Sequence, residues 1–74
     1  MKTPALTATL KGAVKRSGFS GVTFARAIGI PYPTLNYRYK NPDTWKFYEW
    51  AAVLRHIDFN EIELEEIRKE ITKL

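Results

Sequence analysis

The stretch SGVTFARAIGIPYPTLNYRYKN, running from Ser20 to Asn41, decides the fold. Ser20 is a helix-capping residue type, and Phe24, Ala25 and Ile28 follow it at helical spacing, which predicts a helix over Gly21–Ile28. Gly29 then supplies a residue able to take a positive φ and turn the chain sharply. Ala25, four residues earlier, is small enough for a second helix to cross closely, and Ile30 is placed to plug the angle between the two. Pro31-Tyr32-Pro33 introduces that second helix. A residue before proline is biased toward extended backbone, so Tyr32 is expected outside the helix. Pro33 is expected in its first turn, where a missing N–H costs nothing. The helix runs to about Lys40 and ends at Asn41-Pro42. Leu35 and Tyr39, one turn apart, face inward, while Pro33, Asn36, Tyr37 and Lys40 face outward with Thr34 at the edge.

On the N-terminal side, Thr3-Pro4 is a helix start, and Leu6, Leu10, Val14 and Ser17 follow on one face with Ala13 beside them. Lys11 and Lys15 point the other way, and Ser17-Gly18 is the expected stop. On the C-terminal side, Asp43 is expected to cap a helix from Thr44 to about Ile57. Phe47, Trp50, Ala51, Leu54 and Ile57 would form its inward stripe, with Trp45, Tyr48 and Ala52 opposite, near Glu49 and His56. Asn60-Glu61-Ile62-Glu63 reads as a capping box for a last helix whose apolar face is Leu64, Ile67, Ile71 and Leu74. Its acids come early and Lys69 and Lys73 late, in line with the helix dipole. No strand alternation or internal repeat is present. The expectation is an all-α, five-helix fold in one domain, residues 1–74.

With 74 residues and no cysteine, this domain has neither disulfides nor thiolate metal sites to staple it, and its one histidine leaves no metal-ligand spacing. Stability must come from an apolar core. No apolar run is long enough to span a bilayer and none reads as a secretory h-region, so a soluble cytoplasmic protein is expected. The charge is unevenly placed. Residues 1–40 hold seven bases and no acid, giving +7, whereas residues 41–74 hold five bases and eight acids, giving −3. The positive field therefore lies on the half that contains the two-helix stretch.

Phe24-Ala25, Ile28-Gly29-Ile30, Leu35 and Lys40-Asn41-Pro42, continued by Phe47, Trp50-Ala51 and Leu54, resemble the Cro/repressor class of helix-turn-helix proteins, the lambda-repressor-like fold. The resemblance covers roughly residues 6–64. It implies a small phage- or mobile-element-type transcriptional regulator that binds double-stranded DNA in a bacterial cell, associated with the nucleoid. In this class the second helix enters the major groove and the first crosses the backbone. Asn36 is then the foremost base reader, since its amide can pair bidentately with adenine. Tyr37, Thr34 and Tyr32 are the other candidates for base contacts. Lys40, Arg26, Lys15, Arg38 and Ser20 are candidates for phosphate, with Arg38 alternatively the salt-bridge partner of an acid in the C-terminal half. Many relatives are homodimers on two half-sites, and Trp45, Tyr48, Ile71 and Leu74 are the candidate dimer or partner face; the other reading of Trp45 and Tyr48 is that they complete a small core. The chain departs from the class in two places. Gly21-Val22 stands where a glutamine-like phosphate clamp is usual, and Arg38 stands where an apolar residue is usual.

A second functional class is a protein-interaction module on the same scaffold, such as an antirepressor or a phage inhibitor of a host protein. An enzyme is not expected: there is no cysteine, no glycine-rich phosphate loop, no small-molecule or cofactor motif, and no acid before Asp43 to pair with a base.

Overall fold

Helix ends in this chain close where the sequence offers capping chemistry. The computed structural model describes residues 4–73, which form α1 (Ala5–Arg16), α2 (Gly21–Ile28), α3 (Tyr32–Lys40), a 3₁₀ turn (Pro42–Thr44), α4 (Phe47–His56) and α5 (Glu61–Lys73), with no strand among them. The fold is all-α with five α-helices. α1 and α2 each run into a glycine in the left-handed region, Gly18 with φ 89° and Gly29 with φ 79°. After α1, Phe19 N–H donates to the Val14 carbonyl (3.2 Å) and Gly18 N–H to that of Lys15 (3.0 Å). After α2, Ile30 N–H donates to Ala25 (3.0 Å) and Gly29 N–H to Arg26 (3.2 Å). These Schellman closures pair carbonyls that a helix end otherwise leaves bare, in a backbone conformation that costs other residues about 1–2 kcal/mol.

The starts of α2 and α5 are equally local. Ser20 Oγ accepts from Thr23 N–H (3.1 Å) while Thr23 Oγ1 accepts from Ser20 N–H (2.8 Å), a reciprocal capping box. Asn60 and Glu63 make the same exchange at the start of α5, at 2.8 and 2.9 Å. The expected Thr3 cap of α1 lies outside the described residues.

Leu10, Ala13 and Val14 of α1 meet Phe24, Ala25 and Ile28 of α2, Leu35 and Tyr39 of α3, and Val53 and Ile57 in one buried cluster. Thr7, also buried, donates its hydroxyl to the Tyr39 carbonyl at 2.5 Å and so ties α1 to the last turn of α3. α2 packs on both α3 and α4, whereas α5 lies along α1. Arg16 reinforces that second pairing through the Asp58 carbonyl (3.2 Å) and the Glu63 carboxylate.

Four expectations are corrected by the structure. Tyr32 is the first residue of α3, with Pro31 as the extended N-cap (φ −62°, ψ 148°). The pre-proline bias yields here because the phenol ring packs against Gly21, as described below. Ser17, expected on the inward face, is exposed and caps α1, its hydroxyl donating back to Ala13 O at 2.9 Å. Helix α4 begins at Phe47 and not at Thr44. Thr44 N–H and its hydroxyl both turn back to the Asn41 carbonyl (2.9 and 2.6 Å), which closes the 3₁₀ turn. The backbone then runs extended through Trp45 (φ −56°, ψ 133°) and Lys46 (φ −91°, ψ 151°). That extension sends the Trp45 indole into the core against Trp50, with ring centroids 5.1 Å apart.

The inward face of α4 is the fourth correction. Phe47, Ala51 and Leu54 are exposed and Trp50 is half-buried, while Glu49 and Val53 are buried. Moving the stripe from residues 50 and 54 to 49 and 53 rotates the helix by about 100°. An ion pair accompanies this rotation. Glu49 is only 3% exposed, and its carboxylate accepts from Arg38 Nε (3.0 Å), Arg38 Nη2 (3.3 Å) and Lys46 N–H (2.9 Å). Arg38 thus takes the second of its two expected roles and is not free for phosphate. Its guanidinium is largely buried, and the fold supplies a buried carboxylate to pair with it.

Candidate nucleic-acid interface

Five side chains from three segments converge at the start of α2. Lys11 and Lys15 project from successive turns of α1, Ser20 caps α2, and Tyr32 and Asn36 come from the first two turns of α3. With Gly21, Phe19, Val14 and Tyr39 they line an open cleft of about 380 Å³. None of these residues is acidic. Lys11, Lys15, Arg26 and Lys40 are exposed and pair with no carboxylate among the described residues, whereas Arg16 and Arg38 are both committed to acids. The cationic surface expected from the acid-free half is therefore narrower than its sequence charge.

Gly21 explains the position of Tyr32. A β-carbon built at Gly21 would lie 2.8 Å from Tyr32 Cε1 and 3.4 Å from its hydroxyl oxygen. The glycine is thus the seat of the ring. A phenol lies against the first turn of α2. The signal that would have found this is the pairing of a glycine at a helix start with an aromatic wedged between two prolines. Neither feature alone points to the other.

Local electrostatics favour an anion at this cleft. Helix N-termini present unpaired amides and a partial positive charge, and two lysines stand beside this one. Lys11 Nζ also lies 5.0 Å from the centroid of the Tyr39 ring. Burial, and secondarily the neighbouring Tyr32, push the Tyr39 phenol from its ordinary 10.0 up to about 12, so it adds no negative charge near neutrality. Tyr32 is half-exposed and Asn36 half-buried, and both line the cleft.

The structure brings Lys15, Ser20, Tyr32 and Asn36 together and adds Lys11, which was not among the expected site residues. Thr34, Tyr37, Lys40 and Arg26 lie outside the cleft. Tyr37 is exposed, with the Arg38 guanidinium 6.0 Å from its ring centroid, and Lys40 and Arg26 are exposed. The candidate partner face divides. Trp45 is core, Tyr48 is exposed on α4, Ile71 is half-exposed on α5, and Leu74 lies outside the described residues.

Gly21→Ala separates geometry from stability. Alanine gains roughly 1 kcal/mol of helix propensity over glycine, and the clashing atom is the far end of a side chain that can swing away. Stability is expected to change by less than about 1 kcal/mol in urea titrations, while the Tyr32 ring leaves its seat, seen as a shift of its ring resonances by NMR. Unmoved Tyr32 resonances would show that the ring does not depend on the glycine.

Among the described residues no group of three or more His, Asp or Glu side chains could hold a metal ion, and no helix is long and apolar enough to cross a membrane. Compared with known proteins, the chain matches no family model, no curated protein and no solved structure.

Proposed function

We propose that this chain binds double-stranded DNA as a small regulator of the Cro/repressor type, with α3 in the major groove and the start of α2 against the sugar–phosphate backbone. The observation that carries this reading is the acid-free cleft where Lys11, Lys15, Ser20, Tyr32 and Asn36 meet at the junction of α1, α2 and α3. In that pose the lysines and the first amides of α2 hold phosphates, Tyr32 donates to the backbone, and Asn36 reads a base edge. Tyr37 and Thr34 extend the reading face, and Lys40 and Arg26 flank it with charge. The proposed activity is binding without catalysis.

A salt titration tests it. Neutralising one phosphate contributes about −0.9 to the slope of log affinity against log salt, so four free bases give a slope near −3.6. Lys40→Ala is expected to weaken all duplexes alike and to flatten the slope by about 1. Asn36→Ala is expected to cost about 1–3 kcal/mol on the selected sequence and little on random DNA. Absence of duplex binding at low salt, or binding indifferent to salt, would refute the proposal. Equal losses on every sequence would remove only Asn36 from the reading role.

A further inference from the structure

α5 lies along α1 while α4 packs on α2. Where α4, α5 and the segment before α4 come together, an open groove of about 810 Å³ is walled mainly by Trp45, Phe47, Trp50, Leu54, Leu64 and Ile71. Much of that wall is left bare by the chain itself: Phe47 is 91% exposed and Leu54 56%, and Leu64 and Ile71 are about half exposed. A contiguous apolar surface of this kind on a small domain marks a binding site. Its size suits a small molecule. Ligand pockets enclose about 300–1,000 Å³, whereas a stable protein interface takes about 800 Å² from each partner, several times what this lining exposes.

The charges around the groove select the sign of the ligand. Every lining residue falls within residues 41–74, the half that carries eight acids and five bases. Two of the lining residues are ionisable, Asp43 and Arg68. The Arg68 guanidinium is held by the Glu65 carboxylate at 2.7 and 3.0 Å, so its charge is met within α5. Asp43 is exposed and makes no ion pair among the described residues. The charge left over for a ligand is therefore negative. The walls favour the same sign. Trp45 and Trp50 stand with tilted rings 5.1 Å apart and Phe47 shares their lining, and aromatic faces, tryptophan above all, attract cations. We propose that the groove binds a small organic cation with an apolar, ring-bearing body. The body lies against Leu54, Leu64 and Ile71, and the charge sits between the aromatic rings and the Asp43 carboxylate. Phe47, packed on almost nothing in the chain, is free to turn onto it. Lys11, Lys15, Tyr32 and Asn36 take no part in the groove, so the proposal does not rest on the DNA-binding reading.

Tetraphenylphosphonium and tetraphenylborate share one shape and carry opposite charges. Both tryptophans of the chain line the groove, so titrations of the full chain with each ion can be followed by tryptophan fluorescence and by the two indole N–H resonances. The phosphonium is expected to shift both indole resonances with a dissociation constant below about 100 μM, at least about tenfold tighter than the borate. The net charge of +4 favours the anion overall, so a preference for the cation can only be local. Asp43→Asn is expected to weaken the phosphonium by about three- to tenfold and to leave the borate no weaker. Phe47→Leu, which keeps an apolar side chain but removes a ring, should weaken the phosphonium by about threefold. Both side chains are exposed, so far-UV circular dichroism should remain that of the parent. Ile62→Ala is the control, since Ile62 is 76% exposed yet outside the groove, and it should change neither affinity. Indole resonances that respond to neither ion, or to the borate as strongly as to the phosphonium, overturn the proposal. A phosphonium affinity indifferent to Asp43→Asn overturns it as well.

Discussion

Glu49→Ala is expected to lower the unfolding free energy by about 3–5 kcal/mol, read from the midpoint and slope of a urea titration followed by circular dichroism. The loss comes from what remains behind. Glu49 is 3% exposed and the Arg38 side chain 13%, so removing the carboxylate leaves a guanidinium out of water with its only acid gone. It also removes the acceptor of Lys46 N–H, the hydrogen bond that starts α4. A small domain has only about 5–15 kcal/mol of stability, so the variant should be partly unfolded at moderate temperature. Glu49→Gln keeps the shape and one acceptor and should fall between the two. Replacing both partners, Arg38→Leu with Glu49→Leu, should recover most of the loss, because two apolar side chains leave no charge unpaired. If Glu49→Ala cost less than about 1 kcal/mol, the pair would be no different from an exposed one such as Glu65–Arg68.

That same pair marks the boundary of what the sequence discloses. The cap at Ser20, the capping box at Asn60 and the glycine turns at Gly18 and Gly29 were legible because their partners lie within a few residues; the reciprocal bond from Ser20 N–H to Thr23 was not expected. The inward faces of α1, α2 and α3 were legible, apart from Ser17 and the buried Thr7, because apolar side chains fill most of them. The face of α4 was not, since hydrophobic periodicity equates buried with apolar and has no means of placing a carboxylate inside. Arg38 and Glu49 are eleven residues apart, and nothing local links them. The start of α4 was missed for a related reason. Asp43 has the chemistry of a cap, but burying the Trp45 indole demanded an extended backbone where the helix was expected. Tyr32 shows the converse, a local bias of the pre-proline residue overridden by one packing contact with Gly21. At the candidate site, residue types and their helix were readable, but their convergence was not. Lys11 joins Asn36 and Tyr32 only because α1 crosses the α2–α3 junction there, a fact of tertiary packing.

Reversing the two lysines of α1 is the strongest test of whether that convergence carries function. Lys11→Glu with Lys15→Glu changes the net charge from +4 by four units, to zero. Lys69→Glu with Lys73→Glu on α5 makes the same change in net charge far from the cleft in sequence and outside its lining. If long-range attraction were all that mattered, the two doubles would weaken duplex binding alike. If the lysines hold phosphates, the α1 double loses two contacts and adds two repulsive charges at the backbone. Its affinity in about 100 mM salt should then fall by at least about a hundredfold, with a slope flatter by about 1.8, while the α5 double falls by less than about tenfold. Lys11 also sits over the Tyr39 ring, so part of any loss could reflect a loosened cleft rather than missing charge. Lys15→Glu alone separates these, because Lys15 has no such contact and should account for about half of the logarithmic loss. Measured by fluorescence anisotropy on one duplex over a salt series, equal effects of the two doubles would detach the cleft from DNA binding.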